Sequence, residues 1–220
     1  MTAGLILAAG ESRRMGSPKA LLRYRDESFL DTLVGLFEAR CAPVIVVLGA
    51  AAKEVRAATR RAATFVENER WPSGQTSSMQ CGLRAVPEEA DGVLFTLVDH
   101  PAVRMKTIDA LLGAGIAGEG DEPGKLKHAS PREQIASRGG HESQSQALLR
   151  VPRYRGRNGH PIWFSRSLIP EFLALKESGA ARDVVRAHAS VTEFVDVDDA
   201  GVLADIDDAA AYRALFEAER

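Results

Sequence analysis

Cysteine is nearly absent: the 220 residues contain two, Cys41 and Cys81, and neither has a second ligand at metal spacing. A disulfide framework and a structural zinc site are thereby disfavoured, and both thiols are expected to be reduced and largely buried. A dominant charge is also missing. With 28 basic against 30 acidic residues the formal net charge is -2, which gives no overall attraction to nucleic acid or anionic lipid. Any anion site must come from local clustering. No uninterrupted apolar run reaches membrane length, and the opening MTAGLILAAG has no basic leader and too short an apolar stretch for a signal peptide. A cytoplasmic protein with no membrane partner is expected. Hydrophobic residues make up 45% of the chain, enough for a sizeable core in one domain.

What the chain does have is a concentrated stretch from Gly4 to Leu22, GLILAAGESRRMGSPKALL. Leu5, Ile6 and Leu7 form the continuous apolar run of a strand buried on both faces. Ala8, Ala9 and Gly10 then remove side-chain bulk where the chain turns, so a ligand can touch the backbone. Gly10 and Gly16 permit positive φ, successive N–H groups can converge on an anion, and Arg13, Arg14 and Lys19 supply formal charge. The combination suits a polyphosphate at the C-terminal end of a strand, where open α/β sheets bind ligands. Two familiar phosphate loops do not fit. Lys19 is followed by Ala20 where a P-loop needs Ser or Thr, and a dinucleotide fingerprint needs a third glycine and a helix opening directly on it.

Further on, Phe29 to Ala39 carries a helix-period apolar stripe, Pro43 to Leu48 reads as a buried strand, Lys53 to Arg61 as a helix and Ala63 to Val66 as a strand. Gly92 to Val98 is another strand, followed by a helix from Arg104 to Leu112. This alternation predicts a single α/β domain over residues 1–220, with one doubly wound, mostly parallel sheet. Residues 113–147 interrupt it with a polar, glycine-containing run that lacks apolar periodicity. The stretch reads as a flexible insertion, in which His128 and His141 are solvated. Order resumes with a strand from Leu148, a basic loop from Arg153 to Pro161 and a strand from Ile162 to Phe164. Helices around Ser167–Lys176 and Ala181–His188, a strand from Glu193 to Val197 and a final helix from Ala209 to Ala218, capped by Asp208, complete the chain.

Three later groups carry candidate chemistry. Trp71 to Val86 passes from a turn into a helix. Ser73, Thr76, Ser77 or Ser78 could cap it, or the free N–H groups between Gly74, Gln75 and Ser78 could hold a base and ribose. Asp99 ends a central strand on the same sheet edge as the first loop, where it could hold the divalent cation of a polyphosphate or cap the next helix. His100 beside it has no assigned role. Arg153, Arg155 and Arg157 alternate on a strand-like segment and so could aim at one face and pair with a phosphate, or form a solvated basic edge. Asp205 and Asp207 flank Ile206, and an extended backbone would point both acids the same way while Ile206 anchors in the core.

The order LAAG-x-S-x-RMG-x-x-K resembles the signature loop of the nucleotidyltransferases that act on the molybdenum cofactor. G-x-x-x-S at Gly74–Ser78, R-G-x-x-G-H-P at Arg155–Pro161 and the D-I-D of 205–207 resemble that family's later motifs, in the same order, over all of the chain but the insertion. LAAG in place of LAGG resembles the cytidylyltransferase branch. The resemblance implies that Arg14, Lys19 and Asp99 are catalytic and that Leu7, Ala8, Ala9, Gly10, Gly16, Gly74, Gln75 and Ser78 bind the nucleotide. It also implies that Arg155, Arg157, Gly159, His160 and Pro161 face the acceptor, and that Asp99, then Asp207, then Asp205 hold Mg2+. The chain keeps both acids of the D-I-D motif but lacks the proline and later acids that follow it in the family. The implied reaction joins CMP from CTP to the terminal phosphate of molybdopterin and releases pyrophosphate, with an apo molybdenum hydroxylase as recipient. The alternatives are a transferase of the same fold that uses GTP or a sugar or polyol phosphate, and a non-catalytic carrier of the cofactor, which would require neither Lys19 nor Asp99.

Overall fold

The computed structural model describes residues 1–113 and 147–217. The flexible insertion expected at 113–147, with His128 and His141, lies outside the described residues except for Gly113 and Ala147. The strands are β1 (Thr2–Ala8), β2 (Arg23–Tyr24), β3 (Glu27–Ser28), β4 (Val44–Leu48), β5 (Thr64–Glu67), β6 (Gly92–Leu97), β7 (Leu149–Tyr154), β8 (Arg157–Asn158), β9 (Ile162–Ser165) and β10 (Thr192–Asp196). The helices are α1 (Phe29–Glu38), α2 (Ala52–Ala58), α3 (Gln75–Leu83), α4 (Met105–Leu112), α5 (Ile169–Ala174), α6 (Ala181–Ala187) and α7 (Ala209–Glu217).

The main sheet runs β10-β7-β9-β6-β1-β4-β5, with β8 paired to β7. β1 pairs in parallel with β4 on one side and with β6 on the other, β4 with β5 and β10 with β7. Only β9, lying between β6 and β7, and the short β8 run antiparallel. The sheet is doubly wound because its central strands alternate their apolar residues between two cores. Ile6, Val46 and Leu94 face one layer, with α1, α2, α4 and α7, while Leu5, Leu7, Ile45, Val47, Val93 and Phe95 face the other, with α3, α5 and α6. α3 lies hard against the sheet: a Cβ on Gly82 would come 2.4 Å from Leu5 Cδ1 and 2.7 Å from Val47 Cγ2, so only glycine fits there.

Local chemistry sets the element ends. Ser28 Oγ caps α1 by accepting from the Asp31 amide at 3.0 Å. Asp208 Oδ1 accepts from the amides of Ala210 and Ala211, the cap expected for α7. α2 stops at Ala58, short of the expected Arg61, because Thr59 turns extended and its Oγ1 donates to Val55 O, while the amides of Arg60 and Arg61 bond the buried Asp31 carboxylate. The β2–β3 ribbon has no expected counterpart, since two-residue strands carry too little periodicity to read. The helix expected over 167–176 is a 3-10 turn, Arg166–Leu168, running into the shorter α5.

The basic loop also differs. β7 extends to Tyr154 and turns back into β8 through Arg155 and Gly156, both at positive φ (48° and 77°). That turn breaks the alternation expected of Arg153, Arg155 and Arg157. Arg153 is engaged by Asp196, with Nε and Nη2 donating to the two carboxylate oxygens at 2.7 and 2.9 Å. Arg155 lies over the Tyr154 ring at the hairpin tip.

Candidate active site

From β1 the chain crosses to β4 and β5 on one side, then returns past β1 to form β6 on the other. The loops leaving the tips of β1 and β6 diverge around a crevice, which is where sheets of this kind take ligands. A cleft of about 590 Å³ opens there, lined by Leu7, Ala8, Ala9 and Gly10, by Arg13, Arg14 and Lys19, by Gly74, Gln75 and Ser78, and by Asp99 and Asp207. Thus residues separated across most of the chain meet in one cavity. Gly16 lies outside it, in the exposed turn of the first loop at φ 69°. The other positive φ in that loop belongs to Ser12 (φ 54°), not to Gly10. Ser12 Oγ accepts from the Lys19 amide at 2.9 Å and so closes the loop.

At the start of α3 the capping residue is Gly74 (φ 105°), and no side chain caps the helix. Three of the four hydroxyls expected to compete for that task are engaged elsewhere. Thr76 Oγ1 donates to Gly179 O, Ser77 Oγ donates to Gly74 O and Arg70 O, and Ser78 Oγ accepts from Asn68 Nδ2. The first amides of α3 therefore face the cleft without a side-chain cap, and free helix-terminal N–H groups attract anionic or polar ligand atoms.

The opposite end of the cleft is ionic. Lys19 Nζ donates to Asp207 Oδ1 at 2.6 Å and to Asp99 Oδ2 at 3.2 Å. Burial alone would lower the Lys19 pKa, but the Asp207 hydrogen bond and the Asp99 charge outweigh it and hold the ammonium above its ordinary value. Asp99 is 15% exposed. Burial would raise its pKa, yet the hydrogen bond from His100 Nδ1 at 2.9 Å, the His100 charge and Lys19 together hold it below the ordinary value. Asp205 is pushed up, by burial first and then by the Asp99 and Asp207 charges. Ile206 between the acids is buried, and its amide donates to Asp99 O at 3.0 Å, which stitches the 205–207 segment to the tip of β6.

Carboxylate oxygens of Asp99, Asp205 and Asp207 lie within 4.8 Å of one another. An all-oxygen set fits a hard divalent cation such as Mg2+ or Mn2+. Asp205 also lines a separate cavity of about 790 Å³ behind the cleft. Asp99 does not cap α4. No side chain caps that helix; its start is fastened instead by Asp199, buried at 3% exposure, whose Oδ2 accepts from the Arg104 amide and Thr107 Oγ1 and whose Oδ1 accepts from the Gly201 amide. Nothing near Asp199 in the chain signals this role, because its partners at α4 lie more than ninety residues away.

Of the acceptor candidates, His160 lines a cavity beside the cleft. It borders a space of about 480 Å³ that adjoins the cleft through Gln75 and Leu97 and is closed by Arg182 and Arg186 of α6. Burial and the neighbouring His100 push the His160 pKa down to about 4, against the opposing pull of Asp99 and the Phe95 backbone, and its Nδ1 is buried without a partner among the described residues. Arg155 and Arg157 stay exposed on the hairpin. Gly159 packs on Val202, whose carbonyl oxygen an added Cβ would meet at 2.2 Å, and Pro161 is buried. Sequence reasoning missed Arg182 and Arg186, although their spacing of one helical turn is a readable signal once α6 is placed. The thiols match expectation in part: Cys41 is buried, its pKa pushed up to about 12, while Cys81 is only half-buried.

The MobA-like NTP transferase domain matches residues 4–191. A probable molybdenum cofactor guanylyltransferase of Opitutus terrae is 33% identical over 138 residues, covering 61% of this chain and 64% of its own length. The chain thus spans less than two thirds of the length of the curated relatives it matches. The crystal structure of Rv0371c from Mycobacterium tuberculosis superimposes with a TM-score of 0.74 at 29% identity, over 98% of this chain and 97% of that one. A structure of the same protein in complex with manganese gives 0.72 at 28% identity, over 98% and 97%.

Proposed function

The chain belongs to the family of MobA-like NTP transferase domains, and from that membership we propose that it joins CMP from CTP to the terminal phosphate of molybdopterin, releasing pyrophosphate. The observation that carries the reading is the ionic end of the cleft, where Lys19, Asp99 and Asp207 converge beside the arginines of the first loop. The acceptor phosphate is already an oxyanion, so the protein needs no general base or covalent intermediate. It needs positioning and charge neutralisation at the triphosphate. In this reading Arg14 and Lys19 pair with the phosphates, the amides from Ala8 to Gly10 cradle them, and Gly74, Gln75 and Ser78 hold base and ribose. Asp99 and Asp207, with Asp205 behind them, would hold Mg2+, which when bound supplies further neutralisation of the triphosphate. His160 and the cavity beyond Gln75 lie where the pterin acceptor would enter, and an apo molybdenum hydroxylase would receive the product.

The choice of CTP rests on Ala9, the alanine of LAAG where the guanylyl-transferring relatives it resembles carry the second glycine of LAGG. A second reading, GTP as donor, is favoured by the name of the Opitutus terrae relative. The two separate in one experiment. The protein is incubated with each NTP, Mg2+ or Mn2+ and molybdopterin, and pyrophosphate release and the nucleotide on the pterin are measured. Release with CTP alone supports the first reading, release with GTP alone the second, and no release with any NTP refutes both.

A further inference from the structure

Trp71 has no part in the reading above, yet among the described residues it is the one aromatic lining the cleft. It sits on the β4 side of β1, while Asp99 and Lys19 sit on the β6 side. The two ends of the cleft thus differ in chemistry: charged at one, apolar and aromatic at the other.

The position of the indole is built. Gly49 follows β4, and a Cβ there would come 2.8 Å from Trp71 Cβ, 2.9 Å from Ala9 Cβ and 2.5 Å from Ala9 O. The missing side chain lets Trp71 and Ala9, the first residue past β1, both close in on Gly49. The turn that carries Trp71 is pinned by buried Asn68. Its amide donates to Leu48 O at 2.8 Å, its Oδ1 accepts from the Arg70 amide, and its Nδ2 donates to Ser77 Oγ and Ser78 Oγ at 3.0 Å each. The Trp71 amide donates to Asn68 O and its carbonyl accepts from the Gly74 amide, both at 3.1 Å. Trp71 is half-buried: it packs against the core layer that holds α3 and also lines the cleft, and an indole held this firmly near uncapped helix amides suits an aromatic ring with polar edges.

We propose that Trp71 is the face on which the nucleotide base stacks. The inference deepens the nucleotidyltransferase reading and rests on it, but it does not depend on which base is used, because every base offers a π-face. The base end of the ligand lies over Trp71 and Ala9, the triphosphate runs across the tip of β1, and the phosphates end beside Lys19 and Asp99.

The test compares an NTP with inorganic tripolyphosphate, which has the charge and lacks the base. Binding of CTP, GTP and tripolyphosphate, each with Mg2+, is measured calorimetrically on the wild-type chain, Trp71→Phe and Trp71→Ala. Trp71→Ala should weaken the bound NTP by about tenfold or more and leave tripolyphosphate within about twofold, with Trp71→Phe in between. Trp163, the other tryptophan, packs against Gly92 and Arg150 away from the cleft. A Trp163→Phe chain should therefore report NTP binding through the emission of Trp71 alone, and respond more weakly to tripolyphosphate. Equal NTP affinity in Trp71→Ala, or parallel loss of NTP and tripolyphosphate, would overturn the stacking role. A wild-type chain that binds tripolyphosphate as tightly as any NTP would also overturn it. Failure of the wild type to bind any of the three would refute the parent reading, and this one with it.

Discussion

At the scale of single residues, Asp99 and Lys19 are the groups whose loss separates chemistry from folding. Asp99→Asn keeps size and the partnership with His100 but removes a charge from the carboxylate cluster. Turnover is expected to fall on the order of a hundredfold, comparable to losing one preorganised electrostatic contact, with the melting temperature nearly unchanged. Pyrophosphate release and a thermal melt check both halves, and a variant that transfers at the wild-type rate would remove Asp99 from the mechanism. Lys19 leads to a less obvious outcome. Its ammonium lies between Asp99 and Asp207, in the position of a counter-ion to the cluster. Lys19→Met should therefore tighten Mn2+ binding in the absence of nucleotide, by roughly tenfold, while weakening NTP binding. Paramagnetic resonance of free Mn2+ reads the first effect and calorimetry the second.

At the scale of elements, the helix after β6 depends on a residue from a distant loop. Asp199 fastens the start of α4 through two hydrogen bonds and holds its own 199–203 turn through a third, all of them buried or partly so. Asp199→Ala strands the Arg104 and Gly201 amides and the Thr107 hydroxyl. It should cost about 2 to 4 kcal/mol of stability in urea unfolding while leaving NTP binding intact, since Asp199 does not line the cleft. Loss of binding at preserved stability would show that the turn also shapes the site. The same contrast shows what was readable here. The cap of α7 by Asp208 was legible because an N-cap acts within three residues. The anchor that Asp199 gives α4 was not, and Asp99, the nearer acid, was the natural wrong candidate.

At the scale of the whole molecule, stability should depend on pH through His160. Its folded pKa, about 4, lies below the ordinary 6.5, so its contribution is fully present above 6.5 and is lost as pH falls toward 4. The titratable groups facing it are His100 and Asp99. Asp99, itself held low, adds a loss only below its ordinary value of 3.8. Lys19, held high, contributes below 10.5 and loses that contribution as pH rises through its folded pKa. Stability should therefore be flat from about pH 7 to 8, decline at higher pH because the Cys41 thiol, pushed up to about 12 by burial, ionises first in the unfolded chain, and fall by about 1 to 3 kcal/mol between pH 6.5 and 4, the lower figure allowing for the imidazole's exposed surface. Urea unfolding of the wild type and His160→Asn across that range checks it. A wild-type curve as flat as the variant's would show that His160 titrates normally.

Local pattern was enough to read an α/β chain with its central strands, the polyphosphate-suited loop after β1, most helices and the acids flanking Ile206. Each of these is written in residues no further apart than one strand or one helical turn, where side-chain period and backbone preference act directly. Tertiary structure decided the rest. It inserted β9 antiparallel between β6 and β7, bent the arginine run into a hairpin, anchored the start of α4 on Asp199 and brought Trp71 and Ala9 together against Gly49. It also brought Lys19 to Asp99 and Asp207, 80 and 188 residues along the chain. Such meetings depend on which faces pack and which strands pair across long sequence separations. The free energy that selects them belongs to the assembled core and sheet, and no short stretch of the chain contains it.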